Sequence, residues 1–516
     1  MTALNSFALG AAVLSIVCAD LRWLRVAQRE HYLPGAARRF GWRWWTSTPV
    51  NIGLGVVAIA GAGIATVVPA AALASAAVVA VGPIGLGLRG RTSRLAWTRR
   101  MSQVALVTVG LEALAIALPA GFLGLSVAVI ASAFSAIAAP LFVDVALAVL
   151  RPVEDLLAQG YVGRASALLA RVRPLVVGIT GSYGKTTTKS YVAYLLAGDR
   201  NVVASPRSFN NRAGLARTVN ENLAPGTEVL VAEMGAYGPG EISALCSWLR
   251  PEVVVITSIG PSHLERFGSL DRTLSAKAEI TSGARVVVLN VDDERLEGLA
   301  RRLVAPQKVV RASGTDPGAD VAVVAHGDGL ELRLGGRSSG SVGLAPGSSV
   351  AFRSNAACAA AVAIELGIAP ETVVKRLGSL PSVPNRLQRY QAEGGYLVLD
   401  DTFNANPAGA RHALDVLGSE APTGRRVLVT PGMVELGRTQ RAENSAFAEA
   451  AADIVTDAVV VGRTNRAALV EGFRRAGCPP PLHLVDRREK AVAWARVQLG
   501  PGDAVLFEND LPDHFP

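Results

Sequence analysis

Five apolar runs, at residues 4–19, 50–68, 70–88, 103–119 and 121–142, constrain the first third of this chain more than any other feature. Each comes near the ~20 residues that a helix needs to cross the hydrocarbon core of a bilayer. Charge is spread around them unevenly. Residues 1–150 hold 11 Arg, no Lys and four acids, Asp20, Glu30, Glu112 and Asp144. Six of these Arg (Arg22 to Arg43) follow the first run and five (Arg89 to Arg100) follow the third, whereas the links around Pro69 and Pro119 carry none. Basic residues confined to alternate links mark cytoplasmic loops. The expectation is a multi-pass module (1–150) of about five helices in the plasma (inner) membrane. Its N-terminus lies outside, the chain after Arg151 is cytoplasmic, and the Arg clusters face anionic lipid head groups. Buried helices of a soluble domain would leave the alternation without a cause. The basic leader region of a cleaved signal peptide is missing. Glu112 and Asp144 mark a polar path in the bilayer or, more simply, cap or pair locally.

The remaining 366 residues carry 40 basic and 38 acidic side chains. The pI near 9.7 is thus a property of the first third and gives no reason to expect nucleic acid as a partner. Mean hydropathy of +0.33 excludes a mainly disordered chain. Four scattered cysteines, without a CxxC pair, exclude a disulfide framework and a structural zinc site.

Residues 151–173 read as an amphipathic linker. Then Leu175–Thr180, a continuous apolar strand pattern, runs into Gly181-Ser182-Tyr183-Gly184-Lys185-Thr186, and a helical stretch follows from Thr187 to Leu196. Strand, Gly-rich turn and helix start aim backbone N–H groups at phosphates. Lys185 is placed to reach the β- and γ-phosphates and the Thr186 hydroxyl to hold Mg2+. ATP and Mg2+ are the expected cofactors. Glu233 closes another apolar strand, so its carboxylate emerges at the sheet edge where α/β sites form and suits Mg2+ as an oxygen ligand. His263 follows a third strand, Val253–Ile259. The chain has only six Lys against 45 Arg. Lys277, kept in that background, suggests chemistry closed to a permanently charged guanidinium, with a salt bridge to Glu279 or another acid as the plain alternative.

The short loop followed by Thr186-Thr187-Thr188 resembles the Mur ligase family, ATP-dependent amide-forming enzymes of peptidoglycan precursor synthesis. Further motifs follow in the family's order: Ser208-Phe209-Asn210-Asn211, Val229–Gly235 around Glu233, Ile259–Leu264 around His263 and Ala276–Ile280 around Lys277. Asp400–Pro407 and Gly432–Gly437 are most similar to the MurF-type, D-alanyl-D-alanine-adding branch. The resemblance implies roles. Gly181, Ser182, Gly184, Lys185, Thr186 and Thr187 bind nucleotide; Thr186, Glu233, His263 and Lys277 (as carbamate) hold metal. Asn290 and Asn355 lie on the nucleotide side, although the first half of the family's element around Asn355 is lost, with Ala351 and Phe352 there. Arg386 reaches the γ-phosphate, Asp401 the ribose, and Asn210, Asn211, Asn404 and Asn406 the substrates. Lys185, Lys277, His263 and Arg386 are the catalytic set.

Two departures stand out. The membrane module occupies the place of the family's uridine-nucleotide-binding domain. A terminal strand, Ala504–Phe507, leads to the acidic Glu508-Asn509-Asp510-Leu511-Pro512-Asp513 where the family has a basic Lys-Gly-Ser-Arg segment, a change that favours an amine over a carboxylate. The expected architecture is therefore the helical module, an α/β P-loop domain with a parallel sheet (174–383) that includes β-hairpins at 311–350, and a Rossmann-like α/β domain (384–516). The expected function is a membrane-anchored carboxylate–amine ligase working through an acyl phosphate on a cell-wall precursor. Its expected partners are membrane lipid, a lipid-linked precursor and an amino acid or dipeptide acceptor. A transport ATPase, or an inactive scaffold with a ligase-like fold, are the competing classes. The first lacks a Leu-Ser-Gly-Gly-Gln signature, and the second leaves the intact Lys185, Thr186, Glu233, His263 and Lys277 unexplained.

Overall fold

The structure is a computed structural model that describes every residue except 1, 91–93, 207–208, 263, 304, 306, 346–351, 404 and 421–423. The chain divides into two compact units, one of residues 1–157 with 511–516 and one of residues 158–510.

The first unit is helical: α1 (Thr2–Arg29), α2 (Ala36–Trp45), α3 (Pro49–Ile64), α4 (Ala72–Val81), α5 (Arg99–Leu123) and the first part of α6 (Leu125–Val172). Three stretches, Ala3–Arg29, Arg99–Leu123 and Leu125–Glu154, are long and apolar enough to cross a membrane. The expected five are not all present. The run at 50–68 forms α3, bent by 110° from α2, and the run at 70–88 forms little more than α4. At 1.5 Å per residue α3 reaches about 24 Å and α4 about 15 Å, both short of a ~30 Å hydrocarbon core. These two helices pack on each other, and a side chain at Gly61 would come within 3.0 Å of the Ser75 backbone nitrogen. Small residues permit that approach. The linker expected at 151–173 is also no separate segment, because α6 continues unbroken to Val172.

Polar residues of this unit serve its helix ends. Asp144 accepts from the Ala37 and Arg38 backbone N–H groups at 3.2 and 3.0 Å, so it caps α2, the local role a lone acid most simply plays. Glu112 is different: it is buried near Asp20, and neither of its carboxylate oxygens has a hydrogen-bond partner among the described residues. Arg22 is buried and donates to the carbonyls of Val79 (2.9 Å), Val81 (3.1 Å) and Leu86 (3.1 Å), as well as Ala80, closing the C-terminus of α4. Arg25 is buried too. The expectation that all 11 Arg face lipid therefore fails for these two: orphan carbonyls and a buried ion pair claim them.

The second unit holds two sheets. In the first, β1 (Leu175–Thr180), β2 (Val202–Ala204), β3 (Val229–Glu233), β4 (Val253–Ile256), β5 (Val286–Asn290), β6 (Lys308–Ser313), β7 (Val321–His326), β8 (Gly329–Leu334) and β9 (Arg337–Gly343) run in the order β2-β3-β1-β4-β5-β6-β7-β8-β9. The strands from β2 to β7 in this order pair in parallel, and β7, β8 and β9 form antiparallel hairpins as expected for 311–350. Helices α7 (Lys185–Leu196), α8 (Arg212–Asn222), α9 (Glu241–Leu249), α10 (Leu264–Phe267), α11 (Leu270–Ala278), α12 (Glu294–Ala300), α13 (Arg353–Glu365) and α14 (Pro370–Leu377) accompany it. Apolar cores lie on both faces, one with α7, α13 and α14 and one with α8 and α9. That is why β1, β3, β4 and β5 are near-continuous Val, Ile and Leu runs.

The second sheet is built from β10 (Gln388–Gln391), β11 (Leu397–Asp401), β12 (Arg426–Thr430), β13 (Asp457–Val461), β14 (Leu482–Val485) and β15 (Ala504–Glu508), in the order β10-β11-β15-β12-β13-β14. Only β10 is antiparallel. Its helices are α15 (Pro407–Glu420), α16 (Gln440–Ala452), α17 (Arg466–Arg475) and α18 (Arg488–Gln498). The expected C-terminal domain (384–516) loses its last six residues to the first unit, because Leu511–Pro516 packs among α1 and α2.

Arg22→Ala should lower the stability of the helical unit by about 3 kcal/mol, since buried carbonyls lose their donor. Arg22→Lys should recover only part of this, because an ammonium cannot reach several carbonyls at once. Thermal melting of the detergent-solubilised chain measures both.

Candidate active site

The C-terminal ends of β1, β3, β4 and β5 lie side by side, and the loops leaving them form the site. β1 ends at Thr180, and Gly181 (φ +150°) and Gly184 (φ +77°) turn the chain into α7. Gly184 has no room for a side chain, because the Asn355 amide stands where its Cβ would be. Ser182 donates to the Gly260 carbonyl (3.1 Å) and accepts from the Gly260 N–H (2.9 Å), pinning the loop to the segment after β4. Lys185 opens α7. Its half-buried Nζ donates to the carbonyls of Gly181 (2.7 Å) and Ser182 (3.3 Å), folded over the loop it would share with phosphates.

Register pairing sets Ile179 of β1 beside Glu233 of β3. Glu233 is 1% exposed, and its carboxylate gathers the site. Thr186 Oγ1 donates to Oε2 at 3.0 Å, Lys189 Nζ reaches Oε2 at 3.1 Å, and Asn210 Nδ2 donates to Oε1 at 3.1 Å. Burial works against ionising Glu233, but Lys189, Lys185 and these hydrogen bonds outweigh it, so the carboxyl titrates below its ordinary value. Lys189 is the residue that motif reading missed. It is one of only six Lys and stands one helical turn beyond Lys185, on the same face. Those two signals together single it out.

Lys277, at the end of α11, is almost wholly buried with its Nζ 5.7 Å from the Phe267 ring centre. Burial first, then the like charge of Lys185, hold its pKa well below the ordinary lysine value. Glu279 does not neutralise it: that carboxylate accepts from the Gly240 and Ser243 N–H groups at 2.7 and 3.0 Å, at the start of α9. A buried amine biased toward its neutral form can react as a nucleophile, which an exposed lysine near pH 7 does only rarely.

Arg386 comes from the second sheet's side of the unit. It stacks 4.6 Å from the Phe403 ring centre and lies within electrostatic reach of Lys185, Glu233 and Asp401. Asp401 accepts from the Leu387 N–H at 3.1 Å; burial raises its pKa to about 6 in spite of Arg386. Asn355 donates to Thr188 Oγ1 at 3.0 Å, behind the phosphate loop.

Other expected site residues are occupied otherwise. Asn211 caps α8 through the Gly214 N–H, and Asn406 caps α15 through the Gly409 N–H. Asn290 gives its amide to the Thr257 carbonyl at 2.8 Å. Thr187 is buried on the inner side of α7. His263 and Asn404 lie outside the described residues.

Residues 179–363 match the Mur ligase middle domain and residues 385–508 the Mur ligase, glutamate ligase domain. The chain belongs to the Mur ligase family. It is 34% identical over 372 residues to the UDP-N-acetylmuramoyl-tripeptide--D-alanyl-D-alanine ligase of Mycobacterium tuberculosis, covering 64% of this chain and 70% of that one. Identity to the Escherichia coli ligase of the same name is 33% over 302 residues, 57% of this chain and 65% of that one. Solved structures agree: MurF from Thermotoga maritima in complex with ADP superposes with a TM-score of 0.60 at 26% identity, covering 68% of this chain and 80% of that one. For MurF from Acinetobacter baumannii the values are 0.59, 26%, 68% and 77%.

As a Mur ligase the protein is an ATP-dependent, ADP-forming enzyme of peptidoglycan synthesis that uses ATP and Mg2+. Membership sets the transport ATPase aside. The site fits the nucleotide: two glycines free the loop backbone, and the half-buried Lys185 stands where phosphate charge needs neutralising. It fits the metal through hard oxygen donors, the Thr186 hydroxyl and the Glu233 carboxylate, with phosphate oxygens to complete the shell. Among the described residues no three His, Cys, Asp or Glu side chains converge as a metal site on their own.

The acidic segment after β15 does not form the exposed negative edge its sequence implies: Asp510 pairs with Arg488 at 2.6 Å and Asp513 with Arg25 at 2.9 Å. Glu508 is fully buried beside Asp401 in register; Thr430 Oγ1 donates to its Oε2 at 2.6 Å and its Oε1 has no partner among the described residues. Burial lifts its pKa to about 8. The unfolded chain gives up this proton near the ordinary value and the folded chain only near pH 8, so stability falls as pH rises between the two. Glu508→Gln keeps the acceptor and cannot ionise. Its melting temperature should pull ahead of the parent's from about pH 5 to pH 8, to a gain on the order of 2–4 kcal/mol. A separate measurement addresses Lys189→Met. Without that cation the Glu233 pKa rises, so the acidic limb of the pH profile of ADP release should move to higher pH, with stability lower by about 3 kcal/mol.

Proposed function

We propose that this ligase is anchored in the plasma membrane by its helical unit, with the ligase domains on the cytoplasmic side, and joins a lipid-linked carboxylate donor of peptidoglycan-stem type to an amine acceptor. The observation that carries the anchoring is α5. This helix is apolar almost all round, yet buries only the stripe Met101, Val104, Thr108 and Glu112. Leu106 and Phe122 are 74% and 87% exposed. A water-soluble unit does not leave so much contiguous apolar surface bare, whereas lipid covers it. Three crossings by α1, α5 and α6, with α3 and α4 as a hairpin that enters and leaves on one side, keep both Arg-rich links on the same face. The charge asymmetry then holds with fewer crossings than five. A tethered donor gains effective concentration from this arrangement and a soluble one does not.

In the reaction a donor carboxylate oxygen bonds to the γ-phosphorus of ATP and the bond to ADP breaks. The acceptor amine then bonds to the acyl carbon, loses its proton, and phosphate leaves. Lys185 neutralises phosphate charge from the loop, and Arg386 adds a second cation from the far side of the cleft. Thr186 and Glu233, with Lys277 as a carbamate and His263, are the residues that would hold Mg2+. The metal would supply charge neutralisation at the phosphates. Lys189 and Asn210 fix the Glu233 carboxylate in place. Asp401 lies on the ribose side.

The test measures ADP release by the full-length protein in lipid nanodiscs. Release should require both donor and amine, and a polyprenyl-linked donor in the disc should outcompete a UDP-linked donor at equal amount by about tenfold or more. ADP release without either co-substrate sinks the ligase reading. Equal rates on the two donors sink the lipid-linked one.

A further inference from the structure

The last six residues, Leu511–Pro516, belong to the helical unit, and they meet it through charged and aromatic groups rather than incidental packing. Arg25, on α1, is completely buried, and its Nη1 forms a 2.9 Å ion pair with Asp513 Oδ1. His514 is 2% exposed; its Nε2 lies 3.1 Å from Glu30 Oε1, and its backbone carbonyl accepts from Trp44 Nε1 at 2.8 Å. Phe40, on α2, meets the His514 ring at a 52° tilt and the Phe515 ring edge-on, both at 5.0 Å between centres. Arg25 and Glu30 are charges that apolar helices do not bury without partners, and the chain's own C-terminus brings them.

The covalent path gives this docking a consequence. Glu508 ends β15, which runs between β11 and β12 inside the second sheet, and only Asn509 and Asp510 separate it from the docked segment. The helical unit is thus joined to the ligase twice, through α6 and through the tail. We propose that the segment Leu511–Pro516 is a clasp, an intramolecular peptide ligand of α1 and α2 that tethers the second ligase domain to the helical unit. Turnover on a membrane-embedded donor depends on it. The second half rests on the lipid-linked reading above. The first does not.

The experiment uses the full-length protein in nanodiscs. Asp513→Ala and Arg25→Ala each break the buried ion pair, and Δ511–516 removes the ligand. Each should lower the melting temperature by about 10 °C. The double variant Arg25→Met/Asp513→Leu replaces the pair with apolar groups of similar size and should recover most of that loss. Parent-like melting of the two single variants and the deletion, or a double variant that merely adds the two losses, overturns the clasp. ADP release is then compared on the two donors. In Δ511–516 the rate on the UDP-linked donor should stay within about twofold of the parent, and the rate on the polyprenyl-linked donor should fall at least tenfold. Equal retention of both rates after a confirmed loss of melting temperature overturns the functional half and leaves the tail a structural staple. If the parent itself shows no preference for the embedded donor, the lipid-linked reading has failed, and the melting data still decide the clasp.

Discussion

A single buried carboxylate organises the ligase. Glu233 is all but inaccessible, a position in which a carboxylate ordinarily takes up a proton. Two lysines from one face of α7 and the amide of Asn210 keep it charged. The arrangement requires β1 and β3 to be adjacent and parallel, the glycines of the loop to turn the chain into a helix, and α7 to present residues 185, 186 and 189 together. The fold of the first sheet serves that geometry. Because Glu233 is already ionised and oriented, little reorganisation is left for the moment when phosphate and metal charge arrive.

Charge is managed differently in the helical unit. Some of its buried polar groups close a helix end: Asp144 at the start of α2, Arg22 at the end of α4. Arg25 instead depends on a residue 488 positions away in the chain. A helical unit that includes Leu511–Pro516 cannot reach its lowest-energy state until the ligase domains that precede this segment have been made.

Much of the site was legible because its parts are local. The phosphate loop, Lys185, Thr186 and the strand-ending Glu233 are fixed by a few consecutive residues each. The sequence says least where a side chain has competing local and distant partners. Asn211 and Asn406 look like substrate ligands as motif residues, yet each sits just before a helix and satisfies its first N–H groups. Glu279 is two residues from Lys277 but caps α9 from across a turn. Arg22 and Arg25 are indistinguishable by spacing from the other Arg of their cluster. Only packing shows that they face inward.

The sequence by itself determined the class of each segment, because hydropathy runs, glycine turns and scarce lysines report on a few residues at a time. It also determined the order of the ligase motifs and hence the family. Tertiary structure decided which apolar runs are long enough to stand alone as helices and which pair as a hairpin. It joined Lys189 to Glu233 and denied Lys277 its nearest acid. It placed the chain's end among its first helices. Those outcomes depend on free energies of burial shared between residues far apart in the chain, and a buried charge takes whichever partner the fold brings to it.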